Sequence, residues 1–266
     1  MTTYHTHTYR CRHATGDAMD YLKTARKASI RELGFSDHCP YPDRRWSESR
    51  MDMDELPAYI HAVDAAREEA KGFDEPMQVF AGLECEWGPD IHGYLKDELL
   101  GHFALDYLGV GIHTYLHRGS WRDSFVITDP RELASFADTT AKALESGIFA
   151  FLAHPDLFCY NWAPWDENAI ACAKDILEAA QATKVPLEIN GCGFRKPKVR
   201  GDRGQRRPYP HEYFWDLACE YDILCVVNSD AHRPVDIIAG IEEGKAMGST
   251  RGLKILEKLD LTSKPR

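Results

Sequence analysis

Short apolar runs alternate with helix-patterned stretches along almost the whole of this 266-residue chain. Seven runs read as strands, at 2–5, 34–36, 79–84, 105–112, 148–153, 185–189 and 223–228. They are continuous rather than alternating, as in FAFLA (149–153) and ILCVV (223–227), which is how strands covered on both faces read. Helical patterns fill the spaces at 17–33, 52–71, 129–146, 166–183, 211–220 and 236–247, with a shorter candidate at 91–100. Pro130 sits at a first helical position after Asp129, and Gly147 closes the same helix. Strand and helix in regular turn imply parallel strands joined by crossover helices. Two architectures satisfy that rule, a barrel and an open doubly wound sheet. No linker, repeat or composition break divides the chain, so residues 1–266 read as a single domain.

Composition removes several classes. With 44% hydrophobic and 11% aromatic residues the chain can fill a core, which excludes a disordered protein. No apolar run approaches the ~18 residues needed to cross a bilayer. The opening MTTYHTHTYRC lacks an apolar secretory segment, so the expected location is cytoplasmic, away from membranes. Eight scattered cysteines without a CxxC pair are expected to be reduced thiols. The 32 basic against 42 acidic residues give a net charge of -10, which argues against nucleic acid as the main partner.

The 12 histidines gather where the apolar runs end. Parallel α/β folds build their sites at the C-terminal ends of strands. The first run leads to His5, His7 and His13, and the second to Asp37 and His38. The third gives Glu84 and Glu86, the fourth His113, and the fifth His154 and Asp156. The sixth gives Glu188 and Asn190, and the seventh Asp230 and His232. In both H-T-H (5–7) and D-A-H (230–232), the period of two puts the outer side chains on one face of a strand. A carboxylate closing an apolar strand, as Glu84 does, needs a cation. Asp37 reads as a turn cap, and Asp156 as a ligand or an orienting partner of His154. His61 lies mid-helix and reads as exposed; nothing places His92, His102, His117 or His211.

Seven histidines with Glu84 and Asp230 make nine candidate ligands. A catalytic zinc takes about three protein ligands, so nine suit three ions if one carboxylate bridges. Imidazole with carboxylate fits zinc, iron or manganese, and no cysteine occupies an expected ligand position. Residues 195–207 carry Arg195, Lys196, Lys198, Arg200, Arg203, Arg206 and Arg207 against Asp202, a local charge of +7 - 1 = +6 on an acidic chain. A basic loop at a strand end is where an anionic substrate would be met. Arg195 is the candidate for phosphate contact, because a guanidinium matches phosphate oxygens. The charges at 198–207 would mainly attract the substrate.

Taken together, H-T-H (5–7), His13, S-D-H (36–38), G-L-E (82–84), G-I-H (111–113), A-H-P (153–155) and S-D-A-H (229–232) resemble the polymerase-and-histidinol-phosphatase (PHP) superfamily. The motifs run from residue 5 to 232 in family order. HTHTYRCRHATG, GFSDHCPYP, N-G-C-G-F-R-K-P (190–197) and R-P-Y-P-H (207–211) are most similar to the stand-alone histidinol-phosphate phosphatases. The resemblance implies an α/β fold, a distorted (β/α)7 TIM-like barrel, with three divalent ions at the C-terminal strand ends. It implies hydrolysis of a small phosphate ester, L-histidinol phosphate of histidine biosynthesis, with other small phosphate esters or nucleotides as the alternative. By position, His5, His7, Glu84 and Asp230 would hold the first ion, and Glu84, His113 and His154 the second. His13, His38 and His232 would hold the third. Asp230 would also handle protons, and Arg195, His113 and His232 would meet the phosphate. The segments TYLHRGSWRDSF (114–125) and 198–206 depart from the pattern and bear on substrate identity. An amidohydrolase-type barrel would want an eighth strand and usually a bridging Lys, and would leave His13 and His38 without a role; a non-catalytic module would leave the whole ligand set unexplained. The sequence assigns no oligomeric state.

Overall fold

The computed structural model describes residues 1–202 and 204–261, so Arg203 lies outside the described residues. The strands are β1 (Thr2–Thr3), β2 (Glu32–His38), β3 (Gln78–Cys85), β4 (Tyr107–Val110), β5 (Thr114–His117) and β6 (Ser120–Asp123). They continue as β7 (Phe151–Leu152), β8 (Leu187–Asn190), β9 (Val199–Gly201), β10 (Gly204–Arg206), β11 (Leu224–Asn228) and β12 (Lys254–Ile255). The helices are α1 (Ala18–Lys27), α2 (Leu56–Lys71), α3 (Pro130–Glu145), α4 (Glu167–Thr183), α5 (Gly191–Arg195), α6 (Glu212–Ala218) and α7 (Ile241–Thr250). Eight strands form one sheet in the order β1-β2-β3-β4-β7-β8-β11-β12, and every pairing in it is parallel.

All seven expected strands are present, and β12 is an eighth that two residues were too short to signal. It pairs with the first residues of β11, at Leu224 and Cys225. At its other end β11 runs on to an isolated parallel bridge between Thr6 and Ala231. The sheet therefore curls until its last long strand meets its first, with β12 wedged in at the opposite rim. Thr2 Oγ1 donates to the Glu257 carbonyl at 2.9 Å and ties that rim together. This is a distorted barrel of the expected class.

Other boundaries moved for local reasons. The helix expected over 17–33 stops at Lys27, because Ser29 takes a positive φ of 53° and Glu32 and Leu33 already belong to β2. The candidate helix at 91–100 is a π-helical segment, Tyr94–His102, closed by Phe103 N donating to Glu98 O. The two departing segments are both antiparallel hairpins, β5–β6 and β9–β10.

The larger apolar core lies between sheet and helices, while a small cluster of Tyr4, Tyr107, Phe151, Ala153, Val226 and Leu259 packs by itself. His5 rests on this second cluster, its ring 5.9 Å from that of Phe151. Tyr107 is its keystone. Its hydroxyl donates to the carbonyls of Tyr4 at 2.6 Å and Phe35 at 3.0 Å, and its ring lies over Gly82. A Cβ on Gly82 would come 2.5 Å from Tyr107 Cζ, a contact that the buried ring can relieve only by shifting. Gly82→Ala is therefore expected to cost about 1–3 kcal/mol and to lower Tm by several degrees. Gly72→Ala, where the added carbon meets only Glu69 O at 3.5 Å, should leave Tm level or higher. Thermal melts of the two variants at fixed metal content check this.

Candidate metal centre

The Thr6–Ala231 bridge assembles the site. Thr6 is the middle residue of H-T-H and Ala231 the middle of D-A-H, so both outer pairs face the same way. His7 N donates to Ala231 O at 2.9 Å, and Ala231 N to His5 O at 3.3 Å. On the neighbouring strands His38 and Glu84 are register partners, as are Asn190 and Asn228. His154 and Asp230 are placed by left-handed backbone turns, with φ of 31° and 46°. Such conformations cost of order 1–3 kcal/mol each outside glycine and persist where the surroundings hold them.

All nine expected ligands meet at one end of the barrel. Glu84 is central: its Oε2 lies 3.3 Å from His5 Nε2, 3.7 Å from His7 Nε2 and 3.1 Å from His38 Nδ1. Its Oε1 lies 3.6 Å from His113 Nε2 and 2.9 Å from His154 Nε2. Asp230 Oδ1 is 3.6 Å from His5 Nε2, 3.1 Å from His7 Nε2 and 3.4 Å from His232 Nδ1. His13 Nε2 and His232 Nε2 stand 3.1 Å apart. His7, His38 and His232 form one potential ligand triad, His5, His7 and Glu84 a second, and His38, Glu84 and His113 a third. His38 thus belongs to two of them.

Carboxylate partners orient several of the rings. Glu188 Oε1 holds His5 Nδ1 at 2.8 Å, Glu86 Oε1 holds His113 Nδ1 at 2.9 Å, and Cys11 O holds His13 Nδ1 at 2.7 Å. With Nδ1 so engaged, the Nε2 lone pair is turned inward, as a metal ligand requires. Glu188 also accepts from His154 N and from the amides of Asn190 and Asn228. Asp37 caps the turn as expected, accepting from His38 N at 2.8 Å. Asp156 does not orient His154; it accepts instead from His211 N. One thiol comes nearer than expected: Cys11 shares a potential ligand group with His13 and His232, although burial pushes its thiol up to about 12. His61 is exposed on α2, as expected.

The ligand atoms fit metal ions. Bonds of roughly 2.0–2.1 Å in tetrahedral array leave ligand atoms ~3.3–3.4 Å apart. Five of the eight contacts of Glu84 and Asp230 fall at 3.3–3.7 Å, too long for strong hydrogen bonds and right for a shared ion. His5 Nε2, His7 Nε2, His38 Nδ1 and Asp230 Oδ1 are buried with no hydrogen-bond partner. The chemistry that satisfies such atoms in one place is a cation.

All the candidate ligands except His5 border a cavity of about 560 Å³ whose wall also includes Trp46, Glu48, Arg50, Asp123, Phe125 and Tyr209. The sequence offered no signal for Trp46, Glu48 and Arg50, which sit on turns without periodic pattern, whereas Asp123, Phe125 and Tyr209 fall in the segments 114–125 and 207–211 singled out above. Arg195 lines the cavity too. Its Nη1 donates to the carbonyls of Gly191, Ser229 and Ala239, and its Nη2 to those of Ser229 and Asp230. Arg206, expected to act by long-range attraction, donates to the carbonyls of Cys159, Trp162, Arg207 and Pro208 and anchors its hairpin.

The sequence profile of the PHP domain matches residues 3–191. The chain belongs to the PHP domain family. It is 31% identical over 243 residues to "Probable histidinol-phosphatase" of Deinococcus radiodurans, covering 88% of this chain and 86% of that protein. Its fold is similar, with a TM-score of 0.73, to that of a Listeria monocytogenes protein at 18% identity, across 91% of this chain and 99% of the other. It is also similar to histidinol phosphate phosphatase of Lactococcus lactis, solved with zinc, L-histidinol and phosphate. That likeness has a TM-score of 0.75 at 12% identity and covers 98% of this chain and 97% of the other. No helix among the described residues is long and apolar enough to cross a membrane.

Proton competition at this PHP centre has a definite sign. Burial works against a proton on His7, but the neighbouring carboxylates of Asp230 and Asp37 raise its pKa to about 9. His5 is likewise held well above its usual range, since Glu188, Asp230 and Glu84 outweigh burial. Each must lose its proton to bind metal, so binding releases protons and strengthens as pH rises. Zinc affinity, measured by chelator competition, should increase between pH 6.5 and pH 9, with acidification in weak buffer. Affinity flat across that range would show that His5 and His7 are not ligands.

Proposed function

We propose that this PHP-family chain is a metal-dependent phosphomonoesterase that hydrolyses L-histidinol phosphate to L-histidinol and phosphate, with three ions of zinc, iron or manganese. The observation that carries the reading is the convergence of nine candidate ligand residues, eight of them on the wall of one cavity, in a chain similar over 88% of its length to a histidinol-phosphatase. His5, His7, Glu84 and Asp230 would hold the first ion, Glu84, His113 and His154 the second, and His13, His38 and His232 the third. Bound divalent ions supply activation of water near neutral pH and neutralise charge on phosphate oxygens.

The residues do the rest. Glu188, Glu86 and the Cys11 carbonyl keep the imidazoles in the ligating tautomer. His113 and His232, the part-exposed members of the set, border the phosphate. Water attacks phosphorus in line, its O–P bond forming as the P–O bond to the alcohol breaks. Asp230 accepts the proton released by the water and returns it to the leaving alkoxide. The Asn190 amide, 3.0 Å from Asp230 Oδ2, fixes that carboxylate for the task. Arg195 is a cation at the wall that draws the phosphate while it braces the Ser229 and Asp230 carbonyls.

Elemental analysis of gently purified protein should find two to three ions per chain. Asp230→Asn should keep the fold and lower kcat by about 10²–10⁴-fold, whereas His61→Ala should leave kcat unchanged; equal behaviour of the two in steady-state kinetics would refute the assignment. Arg195→Ala should lower kcat/KM for histidinol phosphate roughly ten- to a hundredfold at all salt concentrations. A fall in Tm with kcat/KM intact would leave Arg195 as a brace alone.

A further inference from the structure

The cavity holds a second guanidinium, and its hydrogen bonds are incomplete. Arg50, in the turn before α2, is 3% exposed. Its Nη2 donates to Glu86, and its guanidinium lies 5.5 Å from the ring centre of Tyr41 and 5.3 Å from that of Trp46. The two rings and the carboxylate fix the plane of the group. Nε and Nη1 nevertheless have no acceptor. Thr114, whose N–H donates to the other oxygen of Glu86 at 3.0 Å, has a hydroxyl that is also without a partner.

Glu86 does not account for the spare donors. It already accepts from the His113 N–H, the His113 ring and the Thr114 N–H. One hydrogen on Nε and two on Nη1 are therefore left over on a permanently charged group taken out of water, which is unfavourable until an acceptor arrives. His5 Nε2, His7 Nε2 and His38 Nδ1 share this unpartnered state, and they belong to the ligand set. Arg50 and Thr114 line the same cavity as His38, Glu84 and His113. Arg195 differs, because both its terminal nitrogens are already bound to carbonyls.

We propose that Arg50, with the Thr114 hydroxyl beside it, binds the phosphate group of the substrate. The inference rests on the phosphomonoesterase reading and adds to it a phosphate contact made by the chain itself. A guanidinium offers fixed donors to phosphate oxygens, and here aromatic packing holds it in place before the substrate arrives.

The test measures inorganic phosphate binding by calorimetry on metal-loaded protein freed of excess metal. Arg50→Met should bind phosphate roughly ten- to a hundredfold more weakly, with the metal content of the unaltered protein. Phosphate binding within twofold of the unaltered protein, at equal metal content, would reduce Arg50 to a support for Glu86 and overturn the proposal. Should Arg50→Met fail to fold, Arg50→Lys keeps the charge near Glu86 and loses the fork. It should still bind phosphate about tenfold more weakly, and unaltered affinity there would overturn the proposal equally. Histidinol phosphate turnover separates the two levels. Turnover with Arg50-independent phosphate binding defeats this proposal alone. Arg50-dependent phosphate binding without turnover defeats the phosphatase reading and leaves the phosphate site standing.

Discussion

Everything at the active end of this molecule depends on one short contact, the parallel bridge between Thr6 and Ala231. Without it, β1 would be one edge of an open sheet and β11 with β12 the other, and H-T-H and D-A-H would lie apart. With it, the sheet closes and His5, His7, Asp230 and His232 share one side. The opposite rim closes differently, through β12 and the Tyr4 hydroxyl, which accepts from Leu259 N at 3.0 Å. The barrel is distorted because its two ends close through different partners.

Below the ligands the chain places aromatic bulk. Tyr107 and Phe151 floor the site, and the glycines on the neighbouring strands leave room for their rings. An apolar floor lowers the local dielectric, so every charge above it interacts more strongly than it would in water. That helps explain why burial alone does not neutralise Glu84 and Asp230. Burial pushes both carboxyls up, yet the surrounding histidines hold them well below the usual carboxylate range.

The legible part of this protein was the part built on regular backbone. Continuous apolar runs gave away the parallel strands, because both sheet faces are covered. The candidate ligands other than His13 were legible because each lies at or just beyond the end of such a run. What could not be read lies where the chain leaves that regularity. β12 has two residues and no pattern. Arg50, Trp46 and Glu48 lie in a turn whose path is set by tertiary packing, including a Trp46–Trp121 contact of 5.1 Å between distant segments. Arg195 and Arg206 were legible as charges, but the carbonyls they bind come from elsewhere in the fold, and charge alone cannot reveal them. The roles of Glu86 and Glu188 were ambiguous for a related reason. A strand-end carboxylate can bind metal or orient a histidine, and only the ring nitrogen it faces decides between them.

The charges around the centre constrain what it can hold. Asp37, Glu84, Glu86, Glu188 and Asp230 are all at most 5% exposed, and Arg50 lies among them at 3%. With neutral imidazoles the carboxylates outnumber the guanidiniums of Arg50 and Arg195, an excess of negative charge too large to bury uncompensated. Protonated histidines could offset it, but an imidazolium has no lone pair left to bind a metal. Divalent ions offset it instead and leave every imidazole neutral, with its lone pair free to ligate.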